Sequence, residues 1–188
     1  MIEFPRRSAE LLPSPVLGML IFVFTEVMLF SGFISAFTIM RGSAVLWPPP
    51  GQPLLPAAET AFNTALLLAS GVVLWVSRRR WATQLDKLRR GLLVAILLGG
   101  AFVVLQGREW VQLLARGLTL RSSALGSFFY LIVGAHALHA VVALGILIYA
   151  WVRLGRNLVP KNTLVAAEIF WYFVVGIWPI LYWRVYLS

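Results

Sequence analysis

Five long apolar runs, separated by short polar or proline-rich stretches, set the pattern of this chain. They cover about residues 16–40, 59–76, 91–114, 126–152 and 164–187. A helix needs about 20 apolar residues to cross the hydrocarbon core of a bilayer, and each run comes close to or exceeds that length. The spacing therefore predicts an all-α integral membrane protein with five transmembrane helices in a single membrane domain. The first run is too long for a signal-peptide core of about 7–15 residues and has no small-residue cleavage pattern at its end. It is expected to remain as the first span. Between the first two runs, Trp47-Pro48-Pro49-Pro50-Gly51 cannot continue a helix, because proline lacks the amide donor and clashes with the preceding turn.

Composition agrees with the pattern. Of 188 residues, 60% are hydrophobic and only 12% charged, and the mean hydropathy is +0.85. Soluble domains carry about twice that share of charge. There is no cysteine, which excludes disulfides, iron–sulfur clusters and thiolate metal sites. The net charge of +9 comes from basic residues lying mostly between the apolar runs, so membrane loops explain it better than nucleic-acid binding.

Charge also gives an orientation. Arg6, Arg7, Arg78, Arg79, Arg80, Lys87, Arg89, Arg90, Arg153, Arg156 and Lys161 fall on the side of the N-terminus. Arg41, Arg108, Arg116, Arg121 and Arg184 fall on the other. Eleven against five predicts the N-terminus inside and the C-terminus outside. The cluster from Arg78 to Arg90 is a topology signal first, and Arg78, Arg79, Arg80, Arg89 and Arg90 are candidate contacts for anionic lipid.

Few residues carry candidate chemistry. Glu26 lies near the middle of the first run, where an ionised carboxylate costs roughly 3 kcal/mol or more. It must be hidden from lipid, paired or protonated, and it is a candidate proton-linked group. The two histidines, His136 and His139, sit at i and i+3 on one face of the fourth run. Counting 1.5 Å per residue, Glu26 and His136 both lie roughly 15 Å from the inner end of their spans, with His139 roughly 5 Å nearer. A hydrogen bond from Glu26 to one of these histidines is expected from the shared depth. Two ligands from one helix do not make a metal site, and the bland alternative is a pair of histidines hydrogen-bonded across helices. Glu109 beside Arg108 reads as an ion pair. Glu59 and Glu168 read as acids at helix starts, favoured there by the helix dipole. The polar face Thr60, Asn63, Thr64, Ser70 with Gly71 is expected to point at protein. Ser31/Ser35 and Gly32/Ala36 are small-xxx-small pairs that admit a second helix. Trp47, Trp75, Trp81, Trp110, Trp151 and Trp183 read as an interfacial belt. No Ser–His–acid set and no phosphate loop is recognisable.

Taken together, several segments resemble subunit III of the haem–copper cytochrome c oxidases. They are Thr25-Glu26-Val27-Met28-Leu29-Phe30 with Gly32-Phe33 and Ala36-Phe37, the Trp47–Gly51 turn, Asn63 to Gly71, Leu105-Gln106 with Glu109-Trp110, Ser127-Phe128-Phe129, Gly134-Ala135-His136-Ala137-Leu138-His139, and Trp171 to Val174 with Trp178, Tyr182 and Tyr186. The resemblance implies an accessory subunit with no catalytic or redox centre of its own. It implies packing on subunit I, which carries haem and copper, in a complex with subunit II. The expected setting is a bacterial cytoplasmic membrane, with bound phospholipid. Glu26 takes the place of the family's buried carboxylate, and His136 and His139 match its paired histidines. The implied role is support of proton uptake and stability during oxygen reduction. The alternatives are the homologous subunit of a quinol oxidase or nitric-oxide reductase, or a stand-alone proton or ion conductor using Glu26 and His136/His139. Two departures stand out. The long form of the family has seven spans, and the first two have no counterpart here. The usual Tyr-Trp-His-Phe-Val-Asp of the last span reads Phe170-Trp171-Tyr172-Phe173-Val174-Val175, without the His and Asp.

Overall fold

The computed structural model describes residues 13–47, 53, 55–81, 83–156 and 161–187. Among them the chain forms five helices: α1 (Ser14–Ser43), α2 (Ala57–Trp81), α3 (Leu85–Ala115), α4 (Ala124–Leu154) and α5 (Lys161–Tyr186). All five are long and apolar enough to cross a membrane. Each is longer than the apolar run that predicts it, because polar ends extend the helix beyond the hydrocarbon. Arg6, Arg7 and the proline turn 48–51 lie outside the described residues, as does the side chain of Trp81.

Local sequence explains the helix ends. Pro15 falls in the first turn of α1, where its missing amide costs nothing. α3 stops at Gly117, whose φ of +89° a side chain would resist. The amide of Leu118 then donates to the Leu113 carbonyl and that of Gly117 to Leu114, both at 3.0 Å, which satisfies carbonyls the helix leaves open. Ser123 caps α4, its hydroxyl accepting from the Gly126 amide at 3.0 Å. α5 runs unbroken through Pro179 to Tyr186.

Helix α5 is the centre of the bundle, lying against α1, α2 and α4, while α2 and α3 form a tight antiparallel hairpin. Lipid tails are as apolar as leucine, so close packing and interhelical hydrogen bonds hold such bundles together. Trp171 and Trp178 of α5 are fully buried. Gly99 makes room for the Trp171 ring: a Cβ there would sit 2.5 Å from it. Gly71 does the same for Val175, at 2.9 Å. The indole N–H of Trp171 donates to Ser70 Oγ at 3.2 Å and that of Trp178 to Thr64 Oγ1 at 2.9 Å. The polar face of α2 therefore points at α3 and α5, with Thr60, Asn63, Thr64 and Ser70 all buried.

Helix α1 is different. Of its thirty residues only Val16, Phe30 and Phe37 are buried. Among the described residues it lies against α4 and α5 alone. Among the described residues the small pairs Ser31/Ser35 and Gly32/Ala36 receive no other helix: all four are exposed, and a Cβ on Gly32 would meet nothing within 4 Å.

Candidate functional site

The inward face of α1 is a row of aromatic rings around one carboxyl group. Phe22, Glu26, Phe30, Phe33 and Phe37 recur at helical spacing, and this row meets α4 and α5. Phe22 packs edge-on against Phe170 at 5.4 Å, and Phe30 lies 6.1 Å from Phe173. Between these contacts the Glu26 side chain reaches α4, where its Oε2 lies 2.9 Å from Nε2 of His139. Both side chains are about 15% exposed, and among the described residues no other group bonds that oxygen.

The hydrogen count at this contact is constrained. His139 Nδ1 lies 2.6 Å from the carbonyl oxygen of Ala135, one turn back. A carbonyl only accepts, so Nδ1 carries the hydrogen, and Nε2 of a neutral ring has only a lone pair. The contact with Glu26 therefore requires one proton between the two groups. It sits on the carboxyl, giving acid and neutral imidazole, or on the ring, giving carboxylate and imidazolium. Either way the pair is neutral overall, which is how an acid persists in a low-dielectric interior. A proton passing between the two atoms leaves the net charge unchanged.

His136 does not join this pair. It is 1% exposed, leans on the Trp178 ring with centroids 4.6 Å apart, and touches Phe30 and Phe102 edge-on. Neither of its ring nitrogens has a protein hydrogen-bond partner. Among the described residues no three His, Asp or Glu side chains come together in an arrangement that could hold a metal.

A second polar cluster lies toward the ends of α3 and α5 and is not an ion pair with Arg108. Adjacent helix residues point about 100° apart, so Arg108 is exposed while Glu109 is buried against α2 and α5. There Tyr186 donates to Glu109 Oε1 at 2.8 Å, and Thr60 Oγ1 lies 2.9 Å from Oε2. Gln106 donates to Tyr186 Oη at 3.1 Å and accepts from Asn63 at 3.5 Å. Sequence reading saw the polar face of α2 and the acid of α3 but did not join them. The signal was Gln106 and Glu109 at i and i+3, spaced like Thr60 and Asn63.

Glu168 also departs from expectation. It is the eighth residue of α5, beyond the dipole of the first turn, and pairs across helices with Arg78 Nε at 3.3 Å. Glu59 does occupy the first turn of α2. Of the remaining basic cluster, Arg79 lies over Trp75 and Arg89 over Trp151, each at 4.7 Å, while Arg80 and Arg90 are exposed. Trp75 and Trp183 are exposed to the surroundings, and Trp47 packs against Phe37. Trp110 is half-buried between α3 and α4, its ring 5.6 Å from Tyr130.

Comparison with known proteins turns this arrangement into an assignment. Residues 14–188 match the family model described as Cytochrome c oxidase subunit III. The chain is 34% identical over 181 residues to Cytochrome c oxidase subunit 3 of Latimeria chalumnae, covering 90% of this chain and 67% of that protein. It is 32% identical to the proteins of the same name from Drosophila yakuba and Mus musculus, with the same coverage. With every described helix inside the match, the chain belongs to the cytochrome c oxidase subunit III family.

Proposed function

We propose that this chain is the accessory, non-redox subunit of a respiratory haem–copper oxidase, packed on the catalytic subunit I in a complex with subunit II. In this reading the haem and copper belong to those partners, and oxygen reduction takes place there. The observation that carries the reading is the 2.9 Å contact between Glu26 and His139 within a chain of this family. Its part in the complex is to support proton uptake and stability during turnover. A pair that can pass its proton from carboxyl to ring at constant net charge suits that task, since the transfer itself strands no charge in the bilayer. The nearly bare surface of α1 supports a companion chain on that side, close to the pair. The count of basic residues supports an N-terminus inside and a C-terminus outside. The setting we infer is a bacterial cytoplasmic membrane. It rests on the sequence resemblance, because the relatives named above are animal proteins.

Phospholipid contact belongs to the same proposal. Between α2 and α3 an apolar groove of about 330 Å³, walled by Val72, Val76, Gly91 and Val94, ends at Arg90. That combination suits an acyl chain with an anionic headgroup, and Arg79, Arg80 and Arg89 line the same end of the bundle.

Mild detergent purification followed by mass spectrometry of the co-isolated chains tests the assignment. Recovery with a haem–copper subunit is the expected result. A monodisperse, cofactor-free chain that passes protons in liposomes would overturn it in favour of a stand-alone conductor.

A further inference from the structure

A cavity of about 170 Å³ lies between α3 and α4, with the Trp178 ring of α5 forming part of its wall. Phe102, Gln106, Gly107, Trp110 and His136 form the rest of the wall that matters here. Most of the wall is carbon, and a purely apolar cavity of about this size stays dry. Three buried atoms change that expectation. Both ring nitrogens of His136 and the indole nitrogen of Trp110 have no protein hydrogen-bond partner. A neutral imidazole presents one N–H and one lone pair, and an indole one N–H. Gln106 supplies a further acceptor: its Nε2 hydrogens serve Tyr186 and Glu109, while its Oε1 keeps a second lone pair beside the bond from Asn63.

A lipid tail has neither donor nor acceptor and serves none of these groups. Leaving them unserved costs the desolvation of each. We infer that the cavity is an internal water site, holding two ordered waters that bridge His136 to Trp110 and to Gln106. A water needs only about 10–15 Å³ of such space and 2–4 polar partners. Four wall groups and one water–water bond give each of two waters about three hydrogen bonds.

These waters complete a longer chain. Gln106 bonds Tyr186, Tyr186 bonds Glu109, and Glu109 borders a polar recess of about 400 Å³ shared with Glu59, Asn63, Arg108 and Gln112. A hydrogen-bonded line thus runs from the Arg108 end of the bundle inward to His136. It ends there. The Phe30 ring touches both imidazoles, at 6.5 and 5.5 Å between centroids, and among the described residues no hydrogen bond leads from His136 to Glu26 or His139. All these contacts lie within one chain and depend on no partner.

High-resolution cryo-electron microscopy of the protein in its native assembly tests the site, together with the His136→Phe and Gly107→Leu variants. The expected wild-type map has two compact peaks within about 3.2 Å of a His136 nitrogen and of Trp110 Nε1. His136→Phe removes the peak beside residue 136 and keeps the one beside Trp110. Gly107 lines the cavity and a Cβ on it meets nothing within 4 Å, so a leucine there has room to occupy the space of the waters, and loss of a peak is expected. Continuous rod-like density of an alkyl chain in the wild-type cavity overturns the inference. So does a cavity without peaks in a map that resolves waters elsewhere, and so do peaks unmoved by either variant.

Discussion

Two buried acids, Glu26 and Glu109, meet the same physical problem with different partners. Glu26 faces a base, His139, on the thinly covered side of the bundle. Glu109 faces hydroxyl groups, Tyr186 and Thr60, between α2, α3 and α5, where it is 2% exposed. Thr60 has one hydroxyl hydrogen but two acceptors within reach, Glu109 Oε2 and the Pro56 carbonyl, each at 2.9 Å. A carboxyl hydrogen on Oε2 resolves this: Glu109 donates to Thr60, Thr60 donates to Pro56, and Tyr186 donates to Oε1. Both sites then hold one extra proton and stay neutral. The difference lies in where that proton can go. Tyr186 and Thr60 are poor bases, so the proton stays on Glu109 and the cluster is architecture. His139 Nε2 offers a lone pair that can take the hydrogen, so the proton beside it has two resting places.

The hydroxyl cluster gives the largest expected effect. Glu109→Leu would leave the Tyr186 hydroxyl without its acceptor and Thr60 with Pro56 alone, and cost about 2–4 kcal/mol, read as a lower unfolding temperature in detergent. Glu109→Gln is the control that makes the comparison sharp. Its amide donates to Thr60 and its carbonyl accepts from Tyr186, reproducing a protonated acid, so stability should stay within about 1 kcal/mol of wild type. If the glutamine variant falls as far as the leucine one, Glu109 is held as an anion and the parallel between the two acids fails.

Next comes Gly99→Ala, which tests how tightly the same half of the molecule is packed. The added methyl would meet the rigid end of Trp171 at 2.5 Å, on a ring fixed from the other side by its bond to Ser70. Neither group yields cheaply, so a loss of about 1–3 kcal/mol is expected in the same melting measurement.

How much of this was legible in the sequence follows from the range of each interaction. Five helices could be read because a bilayer demands long apolar runs, and that demand is local to each segment. Glu26 stood out because a charge near the middle of such a run has no bland neighbour to explain it. The partner of Glu109 was hidden, since Arg108 is adjacent in sequence and Tyr186 is 77 residues away. Position in the run misled at Glu168, read as an acid at a helix start, where the partner, Arg78, belongs to another helix. Small residues misled in the opposite sense. Gly99 and Gly71 do receive large neighbours, whereas Gly32, which has the clearer small-xxx-small signature, receives none in this chain. Periodicity shows which face a residue lies on, but it does not show what covers that face.

At the Glu26 site the expected loss is one of function with little loss of fold. Glu26→Gln can still donate to the lone pair of His139 Nε2, so the contact survives and stability should change by less than about 1 kcal/mol. An amide cannot surrender that hydrogen. In the reconstituted oxidase complex, proton uptake during sustained turnover should fall while the melting temperature holds. Uptake equal to wild type would reduce the pair to a packing device, leaving the two acids alike in role.

The smallest effect on the isolated chain, Gly32→Ala, bears on why the two halves differ. The new methyl meets nothing within 4 Å, so by itself the substitution should shift stability by no more than about 0.5 kcal/mol, even though glycine to alanine favours a helix. If α1 is bare because a companion chain covers it, the same methyl lies in a helix–helix seam in the complex, where small residues let backbones approach. The isolated chain would then be untouched while the assembled complex is recovered in lower yield. Equal recovery of both would mean that the Gly32 face of α1 meets lipid, and that Glu26 is screened from the bilayer by Phe22, Phe30 and His139 without a companion on that side.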